Sequence, residues 1–172
     1  MAEFGLVTEL DFWQLIDSSH ADVAARAGEL LAARSRAEIV AAHRVLGGLL
    51  TESYRSPLWA AAYVVNGGCS DDGFDYFRGW LLTQGREVFT RALADPDSLA
   101  DVPAVRAAAA EGEELECEEI LYFTAAAYLS ATGEPLPEDP PVSLPPLDPD
   151  FDVEDPDSAR ERLPRLSALF AA

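Results

Sequence analysis

Eight of the twelve prolines of this 172-residue chain fall between Glu134 and Pro156, in the run EPLPEDPPVSLPPLDPDFDVEDP. Proline lacks a backbone donor and its ring clashes with the preceding helical turn, so neither a regular helix nor a central strand runs through such a segment. The run is predicted to be an extended, polyproline-II-like, semi-rigid arm that touches the rest of the chain through Leu136, Val142, Leu144, Leu147 and Phe151. It divides the chain into a helical domain over residues 1–133, an acidic proline-rich arm over 134–156 and a short C-terminal docking helix over 157–172.

Before the arm, helix-starting residues alternate with apolar residues at helical spacing. Thr8 ahead of Glu9-Leu10-Asp11 reads as the N-cap of a brief first helix whose one side carries Leu10, Trp13 and Asp17. Ser18-Ser19 offers the next cap, and Val23, Ala27, Leu30 and Leu31 recur at helical spacing up to Arg34. Ser35-Arg36-Ala37-Glu38 is a capping box. Behind it Ile39, His43, Leu46 and Leu50 form one stripe that ends near Tyr54, and Gly47-Gly48 reads as a site where another backbone packs closely. Pro57 behind Ser56 opens the very apolar stretch Leu58 to Val65, which Asn66-Gly67-Gly68 stops.

Ser70 then caps a helix with Asp71 and Asp72 in its first turn, where the dipole favours negative charge, and with Phe74, Phe77 and Leu81 as its core stripe. Gly85 is placed at its end, before a helix over Arg86 to Ala94. Asp95-Pro96-Asp97-Ser98 opens a short turn; residues 102–110 are weakly helical; residues 115–132 are strongly helical, with Ile120, Phe123, Ala127 and Tyr128 on one side and Gly133 closing. Asp155-Pro156-Asp157-Ser158 repeats the earlier tetrapeptide as a capping device, ahead of Leu163, Leu166 and Phe170 and an interruption at Pro164. The expected fold is all-α: one globular domain of about seven helices, an extended arm and a short terminal helix.

Acidic residues number 31 against 12 basic ones, all arginine, for a net charge of -19, yet a hydrophobic content of 49% argues against disorder in the body. A negative surface repels phosphate backbones and anionic headgroups, so neither nucleic acid nor a membrane is an expected partner. Basic proteins and small polar ligands remain, beside the reading in which the acidity serves solubility alone. No apolar stretch approaches the ~20 residues that span a bilayer. MAEFGLVTELDFWQL has no signal-peptide pattern, and Cys69 and Cys117 have no CxxC spacing, so a cytoplasmic protein with reduced thiols is expected.

Unusual residues concentrate between Asn66 and Arg86. Asp71, Asp75 and Arg78 share one helix face, a set suited to a polar ligand; the same residues also suit structure, with Ser70 capping and Arg78 paired to Asp75 or to a neighbouring turn. Cys69 precedes a helix N-terminus, which lowers a thiol pKa, while Asp71 and Asp72 oppose that effect. The only bases available to it, His20 and His43, would have to arrive through the fold, and His43 lies on an apolar stripe, as a core histidine does. Asp71, Asp75 and the run Glu113, Glu114, Glu116, Glu118 and Glu119 offer oxygen ligands without EF-hand, HExxH or Glu-x-x-His spacing, so no metal site is assigned. No P-loop, GxGxxG or GxSxG is present, and the sequence identifies no cofactor.

The segment from Leu58-Trp59 through Asn66-Gly-Gly-Cys-Ser-Asp-Asp-Gly-Phe-Asp-Tyr-Phe-Arg-Gly-Trp80 to Ser98 resembles a bacterial family catalogued as domain of unknown function 4240. Asp11-Phe12-Trp13 and Glu119-Ile-Leu-Tyr-Phe-Thr-Ala-Ala-Ala-Tyr128 resemble it too, so the likeness covers about residues 8–133 and leaves the arm outside. It implies a small, mostly actinobacterial, cytoplasmic protein and no particular activity. The leading expectation is an intracellular binding or regulatory domain that uses Asn66 to Arg86 for recognition. The alternatives are a small enzyme or metal-dependent protein built on Cys69, Asp71, Asp72, Asp75 and Arg78, and an acidic immunity-type protein that neutralises a basic effector.

Overall fold

Two of the helices begin by the same exchange of hydrogen bonds. At α1 (Glu9–Asp17) the Asp11 amide donates to the Thr8 hydroxyl at 3.2 Å and the Thr8 amide donates back to the Asp11 carboxylate at 2.8 Å; Ser35 and Glu38 repeat this at α3 (Arg36–Glu52), at 3.3 and 2.9 Å. The capping hydroxyl, then the capping amide, hold each carboxyl below its ordinary pKa, so these caps contribute above the carboxylate range and fade as pH falls through it. The structure is a computed structural model and describes residues 7–19, 22–138, 143–148 and 152–171. His20, Val142 and Phe151 lie outside the described residues.

Between those helices, α2 (Val23–Ala32) is capped by Asp22, which holds a left-handed φ of 48°, and not by Ser18-Ser19 as expected. Both serine hydroxyls turn back onto α1, to the carbonyls of Gln14 at 2.7 Å and Leu15 at 2.9 Å, and so close that helix. Leu10 is also misassigned: it is 54% exposed, and Phe12, Trp13 and Ile16 face the core. In α3, Ile39 and Leu46 are buried while His43 and Leu50 are half-buried.

Four further helices carry the chain to the acidic stretch: α4 (Ser56–Asn66), α5 (Asp71–Thr83), α6 (Arg86–Ala94) and, after a 3-10 helix at Pro96–Asp101, α7 (Pro103–Glu111). Ser56 is the first residue of α4 and does not cap it; its hydroxyl accepts the Asp148 amide of the arm at 2.9 Å. Gly67, at φ 66°, ends α4. The last long helix, α8, spans Glu119–Thr132 and begins later than Leu115, because residues 112–118 are spent on tertiary bonds. The Leu115 amide donates to Asn66 Oδ1 at 2.9 Å, and the Cys117 amide donates to the Tyr76 carbonyl of α5 at 3.0 Å.

Helix α8 packs on α2, α3 and α5, and the core between them centres on Phe12, Ile39, Phe74, Phe77, Leu81 and Ile120, none of which has exposed surface. In the C-terminal region, α9 (Pro156–Arg162) is capped by Asp155. Helix α10 (Pro164–Leu169) has no cap of its own: its first free amides, on Arg165 and Leu166, donate to the buried carboxylate of Asp97 at 3.0 and 2.9 Å. With Leu163 and Leu166 buried, this ties the chain end to the 3-10 helix and α4. In the arm Leu136 and Leu147 pack on the core, whereas Leu144 is 49% exposed, against expectation. The described residues are all-α, with no strand and no helix long and apolar enough to cross a membrane.

Close backbone approach occurs at a glycine other than the ones expected. A Cβ on Gly47 or Gly48 would meet nothing within 4 Å, whereas one on Gly79 would fall inside the Cys117 carbonyl oxygen and 2.9 Å from Ile120 Cγ2. Gly79→Ala is therefore expected to cost about 3 kcal/mol, because backbone must move to admit the methyl group. Gly48→Ala is expected to add roughly 0.5–1 kcal/mol through helix propensity. Thermal midpoints of the two variants check this; equal midpoints would contradict it.

Candidate functional site

The turn from α4 into α5 is held from beneath by aromatic packing. Trp59 donates its indole N–H to the Cys69 carbonyl at 3.0 Å and stacks on Phe74 with centroids 4.8 Å apart. Asn66 grips Leu115 with both ends of its amide, and the Ser70 hydroxyl accepts the Gly73 amide at 3.1 Å. Cys69 is half-buried, and its thiol is pushed up to about 12 by burial first, then by Glu116, Asp71 and Asp75. Burial and carboxylates therefore outweigh the helix N-terminus, and Cys69 is a neutral thiol at physiological pH.

Arg78 is 3% exposed. Its guanidinium donates to the Leu50 carbonyl at the end of α3 and to the Asp75 carboxylate, and lies 4.9 Å from the Phe74 ring centre and 5.2 Å from that of Tyr54. Asp75 is half in water, so one partner remains solvated while two ring faces and a carbonyl receive the rest of the charge. Nε has no partner. The guanidinium thus fastens α5 to the end of α3. Asp71, a turn before Asp75, and Asp72 stay exposed at the helix start.

His43 pairs elsewhere: its Nδ1 lies 2.9 Å from the hydroxyl of buried Thr124 on α8, while the Cys69 thiol donates to the Ser70 carbonyl. Neither residue is a partner of the other. None of five surface cavities between described residues, of about 380 to 730 Å³, is lined by Asn66, Cys69, Asp71, Asp72, Asp75, Arg78 or His43. Among the described residues no group of three or more His, Cys, Asp and Glu side chains is placed to hold a metal ion.

The sequence grouped Asp71 and Asp75 with the run Glu113 to Glu119 only as a supply of oxygen ligands, and the geometry sets them instead as an acidic face. The bond from Cys117 to Tyr76, the close approach at Gly79 and the nearness of Glu116 to Gly73 hold the end of the segment 112–118 against α5, while Leu115 is tied to Asn66. Glu118 first, then burial and Asp72, raise the pKa of the Tyr76 phenol; burial, then Glu114, raises that of Glu116. The run Glu113 to Glu119 was visible as a supply of oxygen ligands. No local signal showed that it lies beside Asp71 and Asp72.

The family described as protein of unknown function (DUF4240) matches residues 7–130. Neither a curated protein nor a solved structure matches the chain.

Since Arg78 is a buried fastener and Asp71 an exposed one-ended charge, their substitutions separate. Arg78→Ala is expected to cost roughly 2–4 kcal/mol, the range for removing one partner of a buried charged network. Asp71→Asn is expected to change stability by less than about 0.5 kcal/mol. Urea midpoints at unchanged slope report both; a small loss for Arg78→Ala would contradict the assignment.

Proposed function

The chain belongs to the DUF4240 family, whose description names no activity, and from its own surface we propose a non-enzymatic binding module that takes a cationic protein partner on this acidic face. The observation that carries the reading is the convergence of carboxylates from two elements, Asp71, Asp72 and Asp75 of α5 with Glu114, Glu116 and Glu118 of the segment between α7 and α8, which Cys117 and Glu116 bring against α5. No basic group is among the causes that shift Tyr76, Glu116 or Cys69. Arg78, the one base these two elements contain, is buried beneath them.

Such a face concentrates negative potential and steers cations towards it. A bound cation favours ionised Glu116, so affinity rises as pH climbs through that residue's raised pKa. An immunity-type pairing with a basic effector is one instance of this reading. The enzyme alternative lacks support: its nucleophile is a neutral thiol, and His43 is engaged with Thr124.

The net charge of -19 makes a matched control necessary. Binding of fluorescent octa-arginine would be measured by anisotropy for wild type, for Asp72→Asn with Glu114→Gln and Glu118→Gln, and for Glu87→Gln with Glu134→Gln and Glu161→Gln, Glu134 lying beyond the far end of α8. Three exposed contacts at about 0.5 kcal/mol each predict a roughly tenfold loss for the first triple variant. The second, equal in net charge, is expected to lose less than about twofold, since charges beyond a Debye length are screened. Equal losses would overturn the reading.

A further inference from the structure

Helix α8 carries one charged residue, Glu119, in fourteen. A helix apolar on every side normally lies inside a protein, and one side of α8 does, through Ile120, Phe123, Thr124, Ala127 and Tyr128. The other side meets solvent: Tyr122 is 58% exposed and Leu129 54%, with exposed Ala126 between them, at i, i+4 and i+7. Among the described residues nothing covers this stripe.

Alongside it, α2 offers small residues. Ala25, Gly28 and Ala32 leave a groove of about 550 Å³ between the two helices, floored by Phe123 and Ala127. The charged residues lining it are Asp22, Glu29 and Glu119, all acidic; Arg26, just outside, pairs with Glu29 at 2.8 Å. The groove also adjoins the acidic face, because Tyr122 is one of the groups acting on Tyr76 and Asp22 one of those acting on Cys117.

We infer that the α2–α8 groove receives the apolar face of a basic amphipathic helix from a protein partner, with that helix's arginines or lysines set over Asp22, Glu29 and Glu119. The floor is apolar and shallow, as a helix-in-groove site requires, and the rim has the sign that selects a basic helix over an acidic or neutral one. From Tyr122 to Leu129 the stripe runs about 10 Å, room for anchors on two successive turns. The inference rests on the binding-module reading and adds to it where the partner's apolar side goes. A second copy of this chain would bring another strongly negative surface to the same rim.

The test compares two fluorescent 18-residue peptides of identical leucine and arginine content with the full chain. In one the leucines fall on a single helical face; in the other they are spread around the helix. Wild type is expected to bind the first about tenfold or more tightly, the gain from burying one or two leucines. Ala126→Trp, which fills the groove from an exposed position, and Tyr122→Ser, which strips its wall, are each expected to abolish that preference while leaving the second peptide's affinity within about twofold. Unchanged thermal midpoints establish that both variants are folded.

Equal binding of the two peptides by wild type, or a preference that survives both variants, overturns the inference. Sedimentation that shows a wild-type dimer lost in Ala126→Trp assigns the groove to a second copy and overturns it too. If octa-arginine shows no dependence on the acidic face while the amphipathic peptide still needs the groove, the charge reading falls and the groove stands. If the charge effect holds and the two peptides bind alike, the groove alone falls.

Discussion

The carbonyl of Cys117 occupies the space where Gly79 would carry a side chain, and the rest of the surface follows from that contact. Only glycine admits a backbone at that distance, and the approach lets the Cys117 amide reach the carbonyl of Tyr76. That carbonyl has a second lone pair, so α5 need not open to accept it. The chain at Cys117 is thereby held against α5, and residues 115–118, which read as helix, cannot continue α8 backwards. One glycine thus decides where α8 begins and which carboxylates face one another.

On the far side of α5 the arrangement is completed by Arg78. A buried guanidinium is costly unless its charge is met, and here it is met by a carboxylate half in water, a carbonyl that α3 leaves free at its end, and two aromatic faces. The residue best suited by chemistry to grip a ligand is consumed in joining helices. Its charge is engaged with Asp75, so the contact that stabilises the domain takes one carboxylate out of the acidic face and leaves Asp71, Asp72, Glu114, Glu116 and Glu118 with no other base on their own elements.

Local features were legible in the sequence and distant ones were not. The Thr8 cap, the capping box at Ser35, the Ser70 cap, the glycine stops at Gly67 and Gly133 and the bounds of α6 each depend on residues within a turn of one another; that Asp11 bonds back to Thr8 was not read. The pairing of Arg78 with Asp75 is equally local. Ser18-Ser19 misled because a hydroxyl bonds backwards to a carbonyl as readily as forwards to an amide. Gly47-Gly48 and Gly79 are alike in sequence; only the third faces a backbone. The environment of Cys69 depends on Glu116, which no spacing rule connects to it. Leu10 and Tyr122 show the remaining gap, since apolar spacing marks a helix without saying which of its apolar residues a partner must cover.

The carboxylates of α5 and of the segment before α8 face one another only while that segment remains fastened to α5. Native-state hydrogen exchange at the Cys117 amide measures that fastening directly. This amide, in a segment with no secondary structure, is expected to exchange as slowly as the amides in the middle of α5, by opening of the whole domain. Exchange of Cys117 at the rate of an unprotected loop amide, with α5 still protected, would contradict it.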